Sequence, residues 1–214
     1  QSANISDIRL AVLGEHNVQN ALAAVAIGVE MGLSAEQIRA ALGAFNGVKR
    51  RFTETGIAGG VRIFDDYAHH PVEIQTVLRT GRSALEDPGG KVVAVMQPHR
   101  YSRLNDLFDE FCTCFNDADT VIVTDVYEAG EEPIEGRDKK ALVEGILSHG
   151  HKHAFALENT GDLARVVSGH VQAGDIVVCL GAGDITALAY KLQEELGSLL
   201  PDGKYVVSRV RQGS

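Results

Sequence analysis

Short apolar runs alternate with longer amphipathic stretches over most of the chain. After residue 47, five runs rich in β-branched and aliphatic residues are each bounded by segments whose apolar residues recur at helical spacing. This alternation predicts an α/β fold, a Rossmann-like open, mainly parallel sheet with helices on both faces. The predicted strands are Val61–Phe64, Lys91–Met96, Thr120–Thr124, Ala154–Leu157 and Asp175–Leu180, and the predicted helices are Pro71–Leu85, Ser102–Asn116, Asp138–His149, Asp162–Val171 and Asp184–Leu196.

A further strand is predicted at one edge of this sheet. Arg51–Ile57 can pair with Val61–Phe64 through the turn residues Gly59 and Gly60. The segment 48–196 is therefore interpreted as one Rossmann-like domain, and residues 197–214 as a tail.

The first 47 residues follow a different pattern. Asp7–Leu13 predicts a strand, Asn17–Met31 a helix, and Ser34 caps a second helix that reaches about Phe45. One strand and two helices are too few layers to bury the small-residue face of the first helix, which is formed by Ala21, Ala24 and Gly28. We expect residues 1–47 to be the end of a larger domain.

Composition narrows the range of partners. The chain has 20 Lys and Arg against 29 Asp and Glu, a net charge of -9, so it offers no broad positive field for a nucleic acid or an anionic membrane. Three cysteines without metal-ligand spacing indicate reduced thiols, as in the cytoplasm. The most apolar run, Ala21–Val29, is too short to span a bilayer, and residues 1–7 lack a secretion-signal pattern. The predicted location is cytoplasmic, without membrane insertion.

Polar and charged residues follow four of the predicted strands. In an open parallel sheet, ligands bind beyond the carboxyl ends of the strands, so these stretches are expected to form one rim. Two of them carry His and Arg side chains suited to a phosphorylated ligand. The four stretches are Asp65–Pro71, Gln97–Arg103, Asp125–Gly130 and Gly181–Asp184, and the cationic residues are His69, His70, His99, Arg100 and Arg103.

The first stretch has two interpretations. Pro71 fits the first turn of a helix whose N–H groups can face an anion, and Asp66 is suited to accept hydrogen bonds from ribose hydroxyls. Alternatively, Asp65 or Asp66 only caps that helix, and His69 and His70 are solvated. A metal site is the weaker hypothesis, because adjacent histidines at a helix start rarely converge on one ion.

The second stretch favours a functional role for its arginines. Ser102 is a predicted N-cap, which puts Arg103 in the first helical turn, where a positive charge opposes the helix dipole. A residue placed against local preference often has a functional reason. The alternative is a pair of surface arginines, with His99 as a donor, an acid or a turn residue.

Two other motifs are interpreted as structural. Gly181-Ala182-Gly183 after a strand is typical of an oxidoreductase fingerprint, but Thr186 replaces its third glycine, and packing explains the two that remain. The run His149–His153 lacks nearby carboxylate or thiol partners and predicts an exposed turn rather than a metal site.

Polar residues also open the first predicted helix. His16 and Asn20 share one helical face with Asn17 alongside; the alternative interpretation is that His16 or Asn17 is only a cap. Asn20 stands where Ala or Leu would be more stable, and its amide can pair with the donor and acceptor edge of adenine. Lys49-Arg50-Arg51 at the predicted junction can reach a phosphate between two domains, or is a basic linker.

Together these motifs resemble the Mur ligase family, from about Gly14 to about Leu196. The Gln97–Arg103 stretch looks like that of the L-alanine-adding members, whereas sister ligases share the Asp-Tyr/Phe-Ala-His region but differ there. The matching motifs are Gly14-x-His16-Asn17-x-x-Asn20-Ala21, Arg50-Arg51-Phe52, Asp65–Pro71, Gln97–Arg103 and Gly181-Ala182-Gly183.

The resemblance implies three domains: one for a UDP-sugar, a central ATPase and a C-terminal Rossmann-like domain that closes over them. Residues 1–47 would then be the end of the central ATP-binding domain, with a hinge near Asn46-Gly47. The family's phosphate loop and Mg²⁺ ligands have no counterpart in these 214 residues. The Mg²⁺ ligands are therefore expected on the missing part of the central domain, and the chain alone is not expected to catalyse the reaction.

The resemblance also implies an activity and roles. ATP phosphorylates the carboxylate of UDP-N-acetylmuramate, and L-alanine attacks the acyl phosphate, so charge stabilisation is the main requirement. The implied partners are these three substrates and the missing N-terminal and central domains. The alternative is a stand-alone nucleotide-binding or regulatory module related to these ligases. The implied catalytic residues are His69, His99, Arg100 and Arg103. The implied nucleotide contacts are Asn17 and Asn20 at adenine, Arg51 at the phosphates, Asp66 at the ribose, Tyr67 beside the nucleotide, and His16.

Overall fold

The computed structural model describes residues 5–200, and a six-stranded sheet forms its centre. The strand order is β1-β2-β6-β3-β4-β5; only β1 and β2 pair antiparallel, and the other neighbours are parallel. The open, mainly parallel sheet and its antiparallel edge strand confirm the sequence prediction. The strands are β1 Thr53–Ala58, β2 Val61–Asp66, β3 Val92–Met96, β4 Thr120–Val123, β5 Ala154–Ala156 and β6 Ile176–Leu180.

Helices cover both faces of the sheet because consecutive strand residues point in opposite directions. Val92, Ala94 and Met96 of β3 pack under the helices between residues 71 and 148, whereas Val93 and Val95 pack under the helices between residues 163 and 199. All five β3 side chains are fully buried. The helices are α1 Glu15–Glu30, α2 Ala35–Ala44, α3 Pro71–Ser83, α4 Tyr101–Asp106, α5 Phe108–Thr113, α6 Lys139–Ser148, α7 Leu163–Ser168 and α8 Ile185–Leu199, with a short 3-10 turn at Thr160–Asp162.

The predicted helix over 102–116 is wrong in two respects. It divides into α4 and α5 at Leu107, whose φ of -122° and ψ of 27° are not helical. Its N-cap is Arg100, not Ser102, and the helix begins at Tyr101. The reason is tertiary: the backbone N–H and the hydroxyl of Ser102 donate to the carboxylate of Glu131, at 2.9 and 2.7 Å.

The predicted strand over Asp7–Leu13 is also wrong, since residues 5–13 form no strand. A strand requires a hydrogen-bonded neighbour, and the described part of the chain offers none there. The segment lies beside α2 instead, where Arg39 donates to the carbonyl of Ser6 at 3.3 Å, and Leu10 lines a cleft.

The helices α1 and α2 pack on each other but leave much apolar surface exposed. The predicted cap at Ser34 is confirmed by a complete capping box with Gln37. Gly28 is buried where an added Cβ would lie 3.2 Å from Ile38, so the small residue permits the helix contact. Large apolar side chains on the remaining surface of α1 have no cover, among them Leu22, Ile27 and Met31, which are 61–73% exposed.

At the other end, α8 continues beyond the predicted limit at Leu196 to Leu199. Of the predicted tail 197–214, residues 201–214 lie outside the described residues. The division of the chain after residue 47 stays a prediction, although all six strands lie between Thr53 and Leu180. Within residues 5–200, no helix combines the length and the apolar character needed to cross a membrane.

Candidate functional site

The loops that follow β2, β3, β4 and β6 meet at one rim of the sheet, as the sequence predicts. The ring centroids of His69 and His99 lie 6.0 Å apart. The ring of Tyr127, from the loop after β4, stacks on His99 at 5.3 Å. On the other side, Tyr67 meets His69 edge to face at 5.1 Å. A continuous row of four rings thus lines the rim.

Both arginines of the second stretch lie on this rim, each with its own partner. Arg103 donates to the carbonyl of His99 at 3.0 Å and lies 3.3 Å from that residue's Nδ1. Arg100 forms an ion pair with Glu131 at 3.2 Å, and its side chain is about half exposed. These contacts fix the guanidinium groups while leaving donors available to a ligand.

The electrostatics of the rim keep His99 neutral. Partial burial lowers the pKa of His99, and the positive charges of Arg103, His69 and Arg100 lower it further, against the opposing charge of Glu131. At neutral pH, His99 is therefore suited to donate or accept a hydrogen bond rather than to carry a charge.

The two adjacent histidines have different positions. His69 faces the rim, and its Nδ1 lies 2.8 Å from the carbonyl of Tyr67. His70 is instead the N-cap of α3: its ring nitrogen accepts from Val72, and Glu73 completes the capping box. Only His69 of the pair therefore contributes its side chain to the row of rings.

The glycine turn after β6 is explained by close packing. A Cβ at Gly183 would lie 2.5 Å from Oε1 of Gln97 and 2.6 Å from the ring of Tyr127. Gln97 holds the glycine turn close to the end of β3. Its Nε2 donates to Asp184 at 2.7 Å, and its Oε1 accepts from the N–H of Ile185 at 3.1 Å. The structure thus supports the packing interpretation of the glycines.

Arg50 is a rim residue that the sequence analysis did not single out from its neighbour Arg51. Its Nη2 donates to the carbonyls of Gly181 and Gly183, at 2.6 and 3.2 Å, and its guanidinium lies 4.7 Å above the ring of Tyr67. The φ of Arg50 is 61°, in the left-handed region that non-glycine residues seldom adopt. The Arg-Arg pair itself was the only signal for this role.

Five of the six predicted nucleotide contacts line a single cleft of about 890 Å³ between α1, α2 and the start of α3. That volume is within the range of small-molecule sites. Asn17 donates through Nδ2 to the carbonyl of Leu13 at 2.6 Å, which leaves its amide oxygen for a ligand. The sixth, Tyr67, does not line the cleft, but its ring lies 5.8 Å from the guanidinium of Arg51, which does. The five lining residues are His16, Asn17, Asn20, Arg51 and Asp66.

Asp66 has a clear structural role. Its two oxygens accept from the N–H groups of Ala68 and Phe52, at 2.7 and 2.6 Å, in a buried position. Burial raises its pKa to about 6, although these two hydrogen bonds act in the opposite direction. The alternative that Asp65 or Asp66 caps α3 is wrong, because His70 does so. Contact of Asp66 with a ribose stays a prediction.

Two histidines outside the rim contact backbone carbonyls. In the 149–153 run, His149 and His151 contact the carbonyls of Gly145 and Ala118, at 2.8 and 3.0 Å. Among residues 5–200, no three His, Cys, Asp or Glu side chains come together as metal ligands would.

The sequence profile of the Mur ligase glutamate ligase domain matches residues 50–183, which is more than half of the chain. The chain belongs to the Mur ligase family.

Several relatives share a name. The chain is 57% identical to a UDP-N-acetylmuramate–L-alanine ligase of Phenylobacterium zucineum over 94% of its length, and 59% identical to that of Methylobacterium nodulans over 91%. In both comparisons it spans 41% of the relative's length.

Solved structures agree with the fold. The crystal structure of the UDP-N-acetylmuramate-alanine ligase of Thermotoga maritima has a TM-score of 0.74 at 32% identity, covering 90% of this chain and 40% of that one. A murein peptide ligase of Psychrobacter arcticus scores 0.62 at 25% identity, covering 91% of this chain and 39% of that one.

The left-handed backbone at Arg100, φ 73°, yields a stability prediction. We expect Arg100→Gly to be more stable than Arg100→Ala by about 0.5–1 kcal/mol, because glycine adopts this conformation without steric cost. Both variants lose the same ion pair, so their difference in urea unfolding isolates the backbone effect. A stability of Arg100→Ala equal to that of Arg100→Gly would contradict the strained turn.

The raised pKa of Asp66 yields a pH prediction. Because its pKa is about 6 in the folded chain against 3.8 normally, the folded state binds the proton more tightly. Lowering the pH from about 7 to about 4 should therefore increase this group's contribution to the free energy of unfolding, by about 2–3 kcal/mol. Urea unfolding across this range should show the increase relative to Asp66→Asn, whereas the exposed-site variant Glu144→Gln should follow the wild type. Parallel curves for the wild type and Asp66→Asn would refute it.

Proposed function

We propose that this chain is the C-terminal part of a cytoplasmic ATP-dependent ligase that joins L-alanine to UDP-N-acetylmuramate through an acyl phosphate. The observation that carries the proposal is the rim: His69, His99, Arg100 and Arg103 meet on it, beside a cleft lined by the residues suited to a nucleotide. The names of the relatives, and the Gln97–Arg103 stretch, support L-alanine as the amino acid.

The rim arginines act on the charge of the reacting groups. Arg100 and Arg103 offer planar, bidentate donors to the acyl phosphate and to the oxyanion that develops when the amine attacks. His99, held neutral by its surroundings, donates or accepts a hydrogen bond there without adding charge. His69 extends the same surface toward the nucleotide cleft.

The cleft beside α1 holds ATP in this proposal. The amides of Asn17 and Asn20 meet the adenine edge, and Ala21 and Ala24 give its ring apolar contact. Arg51 is exposed at the opening of the cleft toward Tyr67, where it binds the phosphates. This also explains the small residues on this face of α1, because larger side chains would fill the cleft.

Mg²⁺ balances phosphate charge in phosphoryl transfer when it is bound. The described residues bring no set of three candidate ligands together and so do not form a site for it by themselves. We assign its ligands to the part of the ligase outside this chain, and derive no step through the ion.

The remaining domains of the ligase are expected to cover α1. Its exposed apolar side chains, including Leu22 and Ile27, are an energetic cost in water that burial against a neighbouring layer would remove. Closure of the rim over the phosphates then requires a hinge, and the backbone at Gly47, with φ 90°, lies where the helices give way to the sheet. Three buried free cysteines fit the proposed cytoplasmic location.

A chimeric enzyme tests the proposal. The chain replaces the corresponding C-terminal segment of the Phenylobacterium zucineum ligase, and phosphate release is measured with ATP-Mg²⁺, UDP-N-acetylmuramate and L-alanine. We expect turnover by the chimera, none by the chain alone, and a loss of at least about 100-fold in the Arg100→Ala, Arg103→Ala chimera.

Calorimetric titration of the chain alone with ATP-Mg²⁺ distinguishes the ligase part from the alternative, a stand-alone nucleotide-binding module. Weak or absent ATP binding would support the proposal that the chain is part of a ligase and depends on the other domains. Tight binding without turnover would instead favour a stand-alone nucleotide-binding module, and a folded but inactive chimera would refute the ligase assignment.

A further inference from the structure

Two loops of the rim are joined by backbone hydrogen bonds. The N–H of Tyr127, after β4, donates to the carbonyl of Pro98 at 2.8 Å, and the N–H of Arg100 donates back to Tyr127 at 2.9 Å. The stacked rings of His99 and Tyr127 lie over this bridge. The loop after β4 therefore determines the path of the chain into α4.

Glu131, in the middle of that loop, binds the start of α4. Its carboxylate accepts the backbone N–H of Ser102 at 2.9 Å, the Ser102 hydroxyl at 2.7 Å and Nη1 of Arg100 at 3.2 Å. The N-cap residue Arg100 makes no side-chain capping bond, so the cap at Ser102 comes from Glu131, which is 29 residues further along the chain. The hydrogen bonds from Ser102, together with Arg100, lower the pKa of Glu131, which is ionised at neutral pH.

We propose that Glu131 is a positioning residue that directs the Arg100 guanidinium onto the rim and maintains the left-handed turn from which it projects. This inference rests on the proposed function in one respect, that the rim binds an anion. An exposed ion pair alone contributes little. Here the same carboxylate also binds the helix start, so the arginine and the turn are fixed together.

The charge of Glu131 and its positioning of Arg100 predict opposite changes in anion binding when Glu131 is neutralised. Removing a negative charge beside a cationic rim should strengthen anion binding if only the electric field matters. If Glu131 positions Arg100, the same change should weaken binding, because a free guanidinium loses conformational freedom when it binds.

Inorganic phosphate, titrated into the ¹⁵N-labelled chain, distinguishes these effects through the Nε–Hε signals of Arg100 and Arg103. In Glu131→Gln the amide oxygen can still accept from the backbone N–H of Ser102, and the Ser102 hydroxyl can turn to accept from the amide NH2 group. The start of α4 thus keeps its partner while the ion pair with Arg100 is lost. We expect its dissociation constant for phosphate to rise about threefold or more. The exposed neighbour Glu132 has no side-chain partner among the described residues, so Glu132→Gln removes the same charge and should bind as tightly as the wild type or slightly tighter.

A dissociation constant that falls or stays constant in Glu131→Gln would overturn the inference. Glu131→Ala provides a second measurement that needs no ligand, since it also removes the acceptor for Ser102. A residue with φ near 73° has its amide and α hydrogens close together, and we expect this strong cross-relaxation signal of Arg100 to weaken in Glu131→Ala. If the wild type binds no phosphate, the proposed function loses support, and an unchanged Arg100 signal in Glu131→Ala would then overturn the role of Glu131 separately.

Discussion

The parallel register of four strands determines where the loops of the rim begin. Asp66, Leu180, Met96 and Val123 are paired across β2, β6, β3 and β4 in a single row. The chain therefore leaves all four strands at the same level, and the next residues begin the loops of the rim. These strands are anchored by complete burial of β3, β4 and β6, so the rim is built on the most rigid part of the fold.

The cations of this rim are held by the protein before any ligand arrives. Arg50 binds carbonyls of the glycine turn, Arg103 binds His99, and Arg100 binds Glu131. The chain has a net charge of -9, so only a local concentration of positive charge, as on this rim, can attract an anion. Long side chains that are already ordered lose less entropy on binding, so these internal partners favour binding as well as stability.

The fold could be predicted from the sequence where local and tertiary preferences agree. The strands β3 and β6 are apolar at every position, and β4 is apolar except for Thr120, which is typical of strands buried on both faces. At Ser102 the local and tertiary preferences disagree. The sequence predicts that its hydroxyl caps a helix, but in the structure this hydroxyl donates to Glu131 from another loop. The segment Asp7–Leu13 has a strand pattern without a neighbouring strand in the described structure. Arg50 and Arg51 have different roles only because the backbone directs their side chains differently. Two adjacent identical residues give no sequence signal for that difference.

Backbone strain is concentrated where the chain enters the candidate site. Arg50 and Phe52 have φ of 61° and 47° just before β1, and Arg100 has 73° just before α4. Each such residue costs of the order of 1 kcal/mol or more, and persists only when its surroundings determine it. Here they do: the carboxylate of Asp66 accepts from Phe52, the carbonyl of Arg50 accepts from Tyr67, and the N–H of Arg100 is bound by Tyr127. Two of these three residues, Arg50 and Arg100, carry guanidinium groups of the rim, so the strained positions are also the ones that supply its cations.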